Sequence, residues 1–312
     1  MLLFKTLKLI RPKQWTKNFA VFAAILFTGQ LFQPPIFYKA FIAFLVFCSA
    51  SSAIYIVNDI FDIDKDRLHP FKRFRPLANK DLSIPYAIVL ALLLIVVSLG
   101  LAMSISFGFL ALLCTYLFLQ FSYSIILKKI TVLDILALAL GYIIRVYAGE
   151  VASGFHISVW LVLTTVALSL FLAIGKRRSE LTLISKMPAA HIEAMRQTLS
   201  HYSERLLDVY ASIFATSAFI FYSLFTFLEN PQGIKITFDV FMPDFLPNYF
   251  QRKWLMLTII PVVYGLMRYL QDIYEKHEGE SPEKVLLSDR PLLLTVMLWV
   301  VMLIFLIYFV GA

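Results

Sequence analysis

The chain has 312 residues, of which 60% are hydrophobic and 15% charged; its mean hydropathy is +0.79 and its formal net charge is +8. Water-soluble domains sit nearer half apolar and a quarter charged, so this composition excludes a soluble enzyme, a disordered chain and a small disulfide-stapled secreted module. A chain this apolar needs lipid around it.

Uncharged runs locate the elements. Asn18–Tyr38, Ala40–Asn58, Val151–Gly175, Val209–Leu228 and Pro291–Ala312 each hold 19 to 25 residues, and Leu82–Leu127 holds 46. A helix needs roughly 20 apolar residues to cross the hydrocarbon, so the longest run is two spans with a turn. In chain order the pattern predicts nine spans, at about 19–36, 38–57, 85–104, 107–127, 131–149, 157–175, 207–228, 254–273 and 291–310. The expected fold is all-α, a polytopic bundle of nine transmembrane helices forming a single domain over residues 1–312.

Basic residues orient the bundle, because cytoplasmic loops collect Lys and Arg. With the N-terminus inside, only Lys39, Lys235, Arg252 and Lys253 fall on outside segments and Arg145 falls within a span; the other 23 of the 28 lie inside. The reading is therefore N-in and C-out, in the plasma (inner) membrane of a prokaryote. Basic residues near the inner surface also attract anionic lipid. No basic segment matches a nucleic-acid-binding pattern, and none is expected to bind one. Cys48 and Cys114 lie in apolar runs and read as packing residues, without a disulfide or zinc signal. The first 18 residues carry scattered charge and no small-residue cleavage site, so no removable signal peptide is expected.

Chemistry concentrates at the inner ends. The loop after the second span reads Asn58-Asp59-Ile60-Phe61-Asp62-Ile63-Asp64-Lys65-Asp66-Arg67. Asn58, Asp62 and Asp66 recur at i, i+4 and i+8, so on a continuing helix they line one face. Oxygen ligands on one face suit a hard cation, and Mg²⁺ takes one or two carboxylates while substrate phosphates and water fill its other sites. The bland alternative is a solvated acidic loop paired with Lys65 and Arg67. A basic run follows at once, His69-Pro70-Phe71-Lys72-Arg73-Phe74-Arg75-Pro76. Arginine forks match phosphate oxygens bidentately, so carboxylates beside Arg73 and Arg75 form the arrangement a diphosphate needs. Arg11 to Asn18 before the first span, Tyr123 to Lys129 after the fourth and Gly175 to Glu180 after the sixth add Lys17, Lys128, Lys176 and Arg177 on the same side. Singly each reads as a headgroup anchor; together they suggest a phosphate-lined pocket.

These strings carry a resemblance. Asn-Asp-x-x-Asp-x-x-x-Asp after span two, Arg-Pro-x-x-Trp-x-Lys-Asn before span one and nine spans resemble the UbiA superfamily of intramembrane prenyltransferases, over essentially the whole chain. Arg11–Asn18, Asn58–Pro76, Tyr123–Lys128 and Gly175–Glu180 look most like its decaprenyl-phosphate phosphoribosyltransferase branch. The resemblance implies transfer of phosphoribose from phosphoribosyl diphosphate (PRPP) to a polyprenyl phosphate, with Mg²⁺ as cofactor. It assigns Asn58, Asp62 and Asp66 to metal and catalysis, and Lys17, Asp59, Lys72, Arg73, Arg75, Tyr123, Lys128, Lys176 and Arg177 to substrate. One departure separates branches. Aromatic prenyltransferases of the superfamily carry a second Asp-rich motif after span six, where this chain has Lys176, Arg177 and Arg178. A basic second motif suits a site holding a diphosphate, a ribose 5-phosphate and a lipid phosphate.

Two other functions compete. A prenyltransferase would ionise a prenyl diphosphate and alkylate an aromatic acceptor, which product identity distinguishes. A cation-coupled transporter or lipid-binding membrane protein would place its acids near the midplane in broken helices, whereas these lie at inner ends. Arg145, about 16 residues past the inner end and so roughly 24 Å away at helical rise, is expected near the outer face, snorkelling or packed on Glu150. His156 and Asp244 read as structural residues of the outer side. Chain length, groove residues and any homo-oligomer are left open.

Overall fold

The computed structural model describes residues 2–68, 72–185, 202–229, 254–276 and 282–310. Asp244 and His69–Phe71, named above, lie outside them. Among the described residues the secondary structure is helical throughout, without strands.

In chain order, α1 (Leu2–Ile10) leads into a 3₁₀ segment (Pro12–Phe22) and the short α2 (Ala23–Phe27). Then come α3 (Pro34–Phe61), α4 (Ile63–Leu68), α5 (Ile84–Ile105), α6 (Phe107–Ile125), α7 (Leu133–Ser153) and α8 (Val159–Ser185). The second half adds α9 (Glu204–Leu228), α10 (Ile259–Gln271), α11 (Pro282–Ser288) and α12 (Arg290–Phe305). Eight helices among the described residues are long and apolar enough to cross a membrane, and the expected spans from 38–57 to 291–310 each fall on one of them. The chain is thus a polytopic helical membrane protein. Side-chain caps satisfy backbone N–H groups at several helix starts. Ser83 accepts from Tyr86 N, Ser106 from Phe109 N, Ser203 from Leu206 N and Asp289 from Leu292 N.

The first expected span, 19–36, takes a different form. It is the 3₁₀ segment plus α2, followed by a turn through Gly29 (φ 76°) to the next helix at Pro34. Runs of 3₁₀ longer than three or four residues are uncommon. Here packing imposes the conformation. The Val21 backbone lies so close to Gly149 of α7 that a Cβ there would sit 1.9 Å from the Val21 carbonyl oxygen. Eleven residues at ~2.0 Å and five at ~1.5 Å correspond to about 30 Å of helical rise, longer than the same sixteen residues would cover as an α-helix; this segment is not among the eight helices long and apolar enough to cross a membrane.

Burial ranks the helices. The most hydrophobic stretch of α3 is 61% buried and that of α5 only 17%, so α5 turns Val89, Leu92, Leu93 and Val96 to lipid while α3 runs through the middle. A central helix is a stiff support for a site at its end.

The placement of Arg145 needs correcting. It does not snorkel to Glu150, which instead meets His156 (Oε1–Nδ1 2.7 Å). Arg145 is 4% exposed, inside the bundle, and its guanidinium is held by three partners. Nε donates to Asn18 Oδ1 (2.7 Å), Nη2 to the Tyr116 hydroxyl (2.8 Å) and Nη1 to the Gly141 carbonyl. Rise along the helix set its depth, but the face decided its surroundings. Gly141, Arg145 and Gly149 recur at i, i+4 and i+8, on the small-residue face against which the 3₁₀ segment packs.

Candidate active site

Two i→i+4 backbone bonds build the acidic face. Asp62 N donates to Asn58 O (3.0 Å) and Asp66 N to Asp62 O (2.8 Å), so the helical path passes from α3 through Asp62 into α4. Asn58, Asp62 and Asp66 therefore stack on one side. Exposure separates them from their neighbour Asp64: the side chain of Asp66 is 5% exposed and that of Asp62 27%, against 94% for Asp64. The bland reading of a solvated loop fits only Asp64, which pairs with Arg67 at the surface.

Cations reach these acids from elsewhere in the chain. Lys128, in the 3₁₀ turn Leu127–Lys129, approaches both Asp62 oxygens (2.9 and 3.0 Å). Arg75 Nη1 bridges Asp66 Oδ2 (2.6 Å) and Asp59 Oδ1 (3.0 Å). Arg11 donates to the same Asp59 oxygen. The Arg-Pro-x-x-Trp-x-Lys-Asn string is thus largely a docking strip. Besides Arg11 on Asp59, Trp15 donates to Ser52 Oγ (3.0 Å), and the Asn18 amide reaches Ser51 and Cys48. Lys17 donates to Gln14.

Burial pushes the Asp66 carboxyl upward, against the pull of Arg75. Burial likewise pushes the Lys72 ammonium below its usual range, assisted by nearby Arg75 and Lys176 and opposed by Glu180 and Asp66. Those influences place Lys72, Arg75, Asp66, Lys176 and Glu180 in one neighbourhood. Arg73 points away, exposed and stacked on Phe74 (4.8 Å).

The basic motif on α8 is largely occupied by carboxylates. Arg177, 7% exposed, donates from Nη1 to Glu180 and from Nη2 to the Tyr123 hydroxyl (2.9 Å). Its Nε lies 2.6 Å from Asp134 Oδ2, a charge contact whose N–H direction misses the oxygen. Arg178 pairs with Asp208 (2.8 Å) and Glu204 (3.0 Å). Lys176 makes no ion pair or hydrogen bond among the described residues. Asp134, Glu180 and Tyr202, which the sequence did not single out as ligands, hold this corner together. Glu180 is a local i,i+3 partner of Arg177, but Asp134 and Tyr202 meet partners remote in sequence and leave no local signal.

The donor set can be tested against a divalent cation. Asn58 Oδ1 and Asp59 Oδ2 are buried acceptors without a hydrogen-bond partner, and buried acceptors are rarely left so. No group of three His, Cys, Asp or Glu among the described residues forms a protein-only cage. Two carboxylates and an unsatisfied amide oxygen suit Mg²⁺, which completes its shell with phosphates and water. The residues fit.

Residues 18–288 match the profile of the UbiA prenyltransferase family. This chain belongs to that family. Near-full-length relatives include decaprenyl-phosphate phosphoribosyltransferase of Corynebacterium glutamicum, 33% identical over 97% of this chain and 86% of the relative. The enzyme of the same name from Mycolicibacterium smegmatis is 34% identical over 94% of this chain and 89% of its own. Among solved structures, a UbiA homologue from Archaeoglobus fulgidus bound to DMAPP and Mg²⁺ superimposes with a TM-score of 0.67 at 18% identity, over 96% of this chain and 97% of that one. That likeness shows the fold of this UbiA family member, which is a transferase and an integral membrane protein.

Proposed function

We propose that this UbiA family transferase moves 5-phosphoribose from PRPP to a polyprenyl phosphate of the decaprenyl type, releasing pyrophosphate. The site would face the cytoplasm, as the distribution of basic residues argues. One observation carries the reading: Lys128 reaches Asp62 on the acidic face at the end of α3, and Lys72, beside Asp66, has Lys176 in its own neighbourhood, so ammonium groups from three separate elements share this corner. The names of the near-full-length relatives support it.

The chemistry asks little of the protein by way of proton transfer. A lipid phosphate is anionic at neutral pH, so its oxygen bonds directly to the anomeric carbon. The bond from that carbon to the pyrophosphate oxygen breaks, and its electron pair leaves with pyrophosphate. Asp62, Asp66 and Asn58 would hold Mg²⁺, which when bound neutralises charge on the diphosphate. Lys72, Lys128 and Lys176 would bind phosphate oxygens, with Lys17 at the mouth. Tyr123 and Arg75 would be fixed beside them by Arg177 and by Asp59 with Asp66. Catalysis then reduces to orientation plus electrostatic stabilisation of the leaving group. Arg73, on the surface, and Arg177, enclosed by carboxylates, receive no phosphate in this scheme.

Pyrophosphate release by the purified chain tests this. It should appear from PRPP and Mg²⁺ only when polyprenyl phosphate is added. Turnover of a prenyl diphosphate with an aromatic acceptor, and none of PRPP, would establish the competing prenyltransferase instead.

A further inference from the structure

The turn that carries Lys128 contains an unusual residue. Val132, immediately before α7, has φ 71° and ψ −45°. Positive φ is costly for any residue with a Cβ and most of all for a β-branched one. Such a conformation persists only where its surroundings impose it. Asp134 N closes the turn on Ile130 O (3.1 Å), and the group that grips it from outside is Tyr202, 5% exposed and just ahead of α9. Its hydroxyl accepts from Val132 N (2.6 Å) and donates to Asp134 Oδ1 (2.7 Å). Burial, and then the Asp134 carboxylate, push this phenol above the ordinary tyrosine range, so the proton stays in place to be donated.

The two atoms that Tyr202 grips sit between two site contacts. Four residues before Val132, Lys128 reaches Asp62; two residues after it, Asp134 contacts Arg177, which in turn holds Tyr123. If the turn relaxed to negative φ, the chain direction between Lys128 and α7 would change, and the ammonium would leave Asp62. We infer that Tyr202 is a positioning residue: its hydroxyl clamps the 127–134 turn in a strained conformation that aims Lys128 at the acidic face. This rests on the reading of the acidic face as the active site, but not on which donor binds there.

The test uses the full chain in detergent. Tyr202→Phe removes one oxygen and keeps the buried ring. Two hydrogen bonds are lost, so kcat/KM should fall about 10-fold, and hydrogen exchange at the Val132 amide should rise. Glycine adopts positive φ freely. In a Val132→Gly background the further penalty of Tyr202→Phe should therefore shrink to less than about 2-fold. A residue that merely packs would show no such relief. Wild-type kcat/KM in Tyr202→Phe would overturn the inference, whatever the exchange does, and so would a penalty that Val132→Gly leaves intact. Should the wild-type chain turn over a prenyl diphosphate rather than PRPP, the kinetics are run with that donor. The substrate assignment then fails while the clamp is still tested, since the exchange measurement needs no substrate.

Discussion

The C-terminal end of α3 and the C-terminal part of α8 both carry a dense run of charge, yet they are built differently. At α3 the acids stack along one face, and two neighbouring oxygens, Asn58 Oδ1 and Asp59 Oδ2, are buried without donors. At α8 the two arginines are each met by carboxylates, Arg177 by Glu180 and Asp134 and Arg178 by Asp208 and Glu204. Both ends are ion-paired, since Lys128, Arg75 and Arg11 meet the α3 acids. But α3 keeps buried oxygens that a cation could satisfy, while the α8 arginines are each shared between two carboxylates. A string of basic residues is therefore not equivalent to a string of phosphate ligands. What matters is which of them the fold has left unengaged, and on α8 that is Lys176.

The sharpest way to break the comparison is to remove oxygens from α3. Asp62→Asn and Asp66→Asn should each lower turnover at least about 100-fold, since loss of a metal ligand exceeds the 10- to 100-fold typical of losing a residue that only hydrogen-bonds a ligand. Folding and insertion should survive, as measured by thermal unfolding in detergent. Near-normal turnover in both would remove the metal assignment.

Next in size, the two neighbours on α8 should fail differently. Arg177→Met strands buried carboxylates and should cost about 3–5 kcal/mol of stability, read as a lowered unfolding midpoint. Lys176→Gln should leave the midpoint alone and raise the KM for PRPP about 10-fold, the loss of one charge-assisted contact. Arg73→Ala, exposed, is the control and should change neither. A reversed pattern, with Arg177 affecting only KM, would show that the carboxylates around it do not define its role.

The smallest effect concerns pH. Burial lowers the Lys72 pKa, and a bound phosphate needs the lysine charged. As pH rises through that lowered value the free enzyme's Lys72 becomes neutral, so the KM for PRPP should climb below the pH at which an ordinary lysine deprotonates. Lys72→Arg should flatten the rise, because arginine stays charged throughout. A KM profile that is the same in both would deny Lys72 contact with substrate.

Much of this was legible without coordinates, for physical reasons. Uncharged runs betray membrane helices because charge is expensive in hydrocarbon, and the i, i+4, i+8 spacing of Asn58, Asp62 and Asp66 survives folding because the helical path continues through Asp62. The 3₁₀ form of the first segment was not legible, since it follows from contact with Gly149, far along the chain. Of the carboxylates on Arg177, Glu180 is a visible i,i+3 neighbour, but Asp134 was hidden for the same reason, lying more than forty residues upstream. Arg145 was misplaced although a cue existed, because its flanking glycines at four-residue spacing mark the packed face.

The central claim, that this acidic face holds PRPP opposite a lipid phosphate, is tested most directly by product identity under competition. The purified chain would be given PRPP, a prenyl diphosphate, polyprenyl phosphate, an aromatic acceptor and Mg²⁺ together, and the lipid products read by mass. We predict a polyprenyl phosphate heavier by one phosphoribosyl group, with the prenyl diphosphate unconsumed. A prenylated aromatic acceptor, with PRPP intact, would contradict the account.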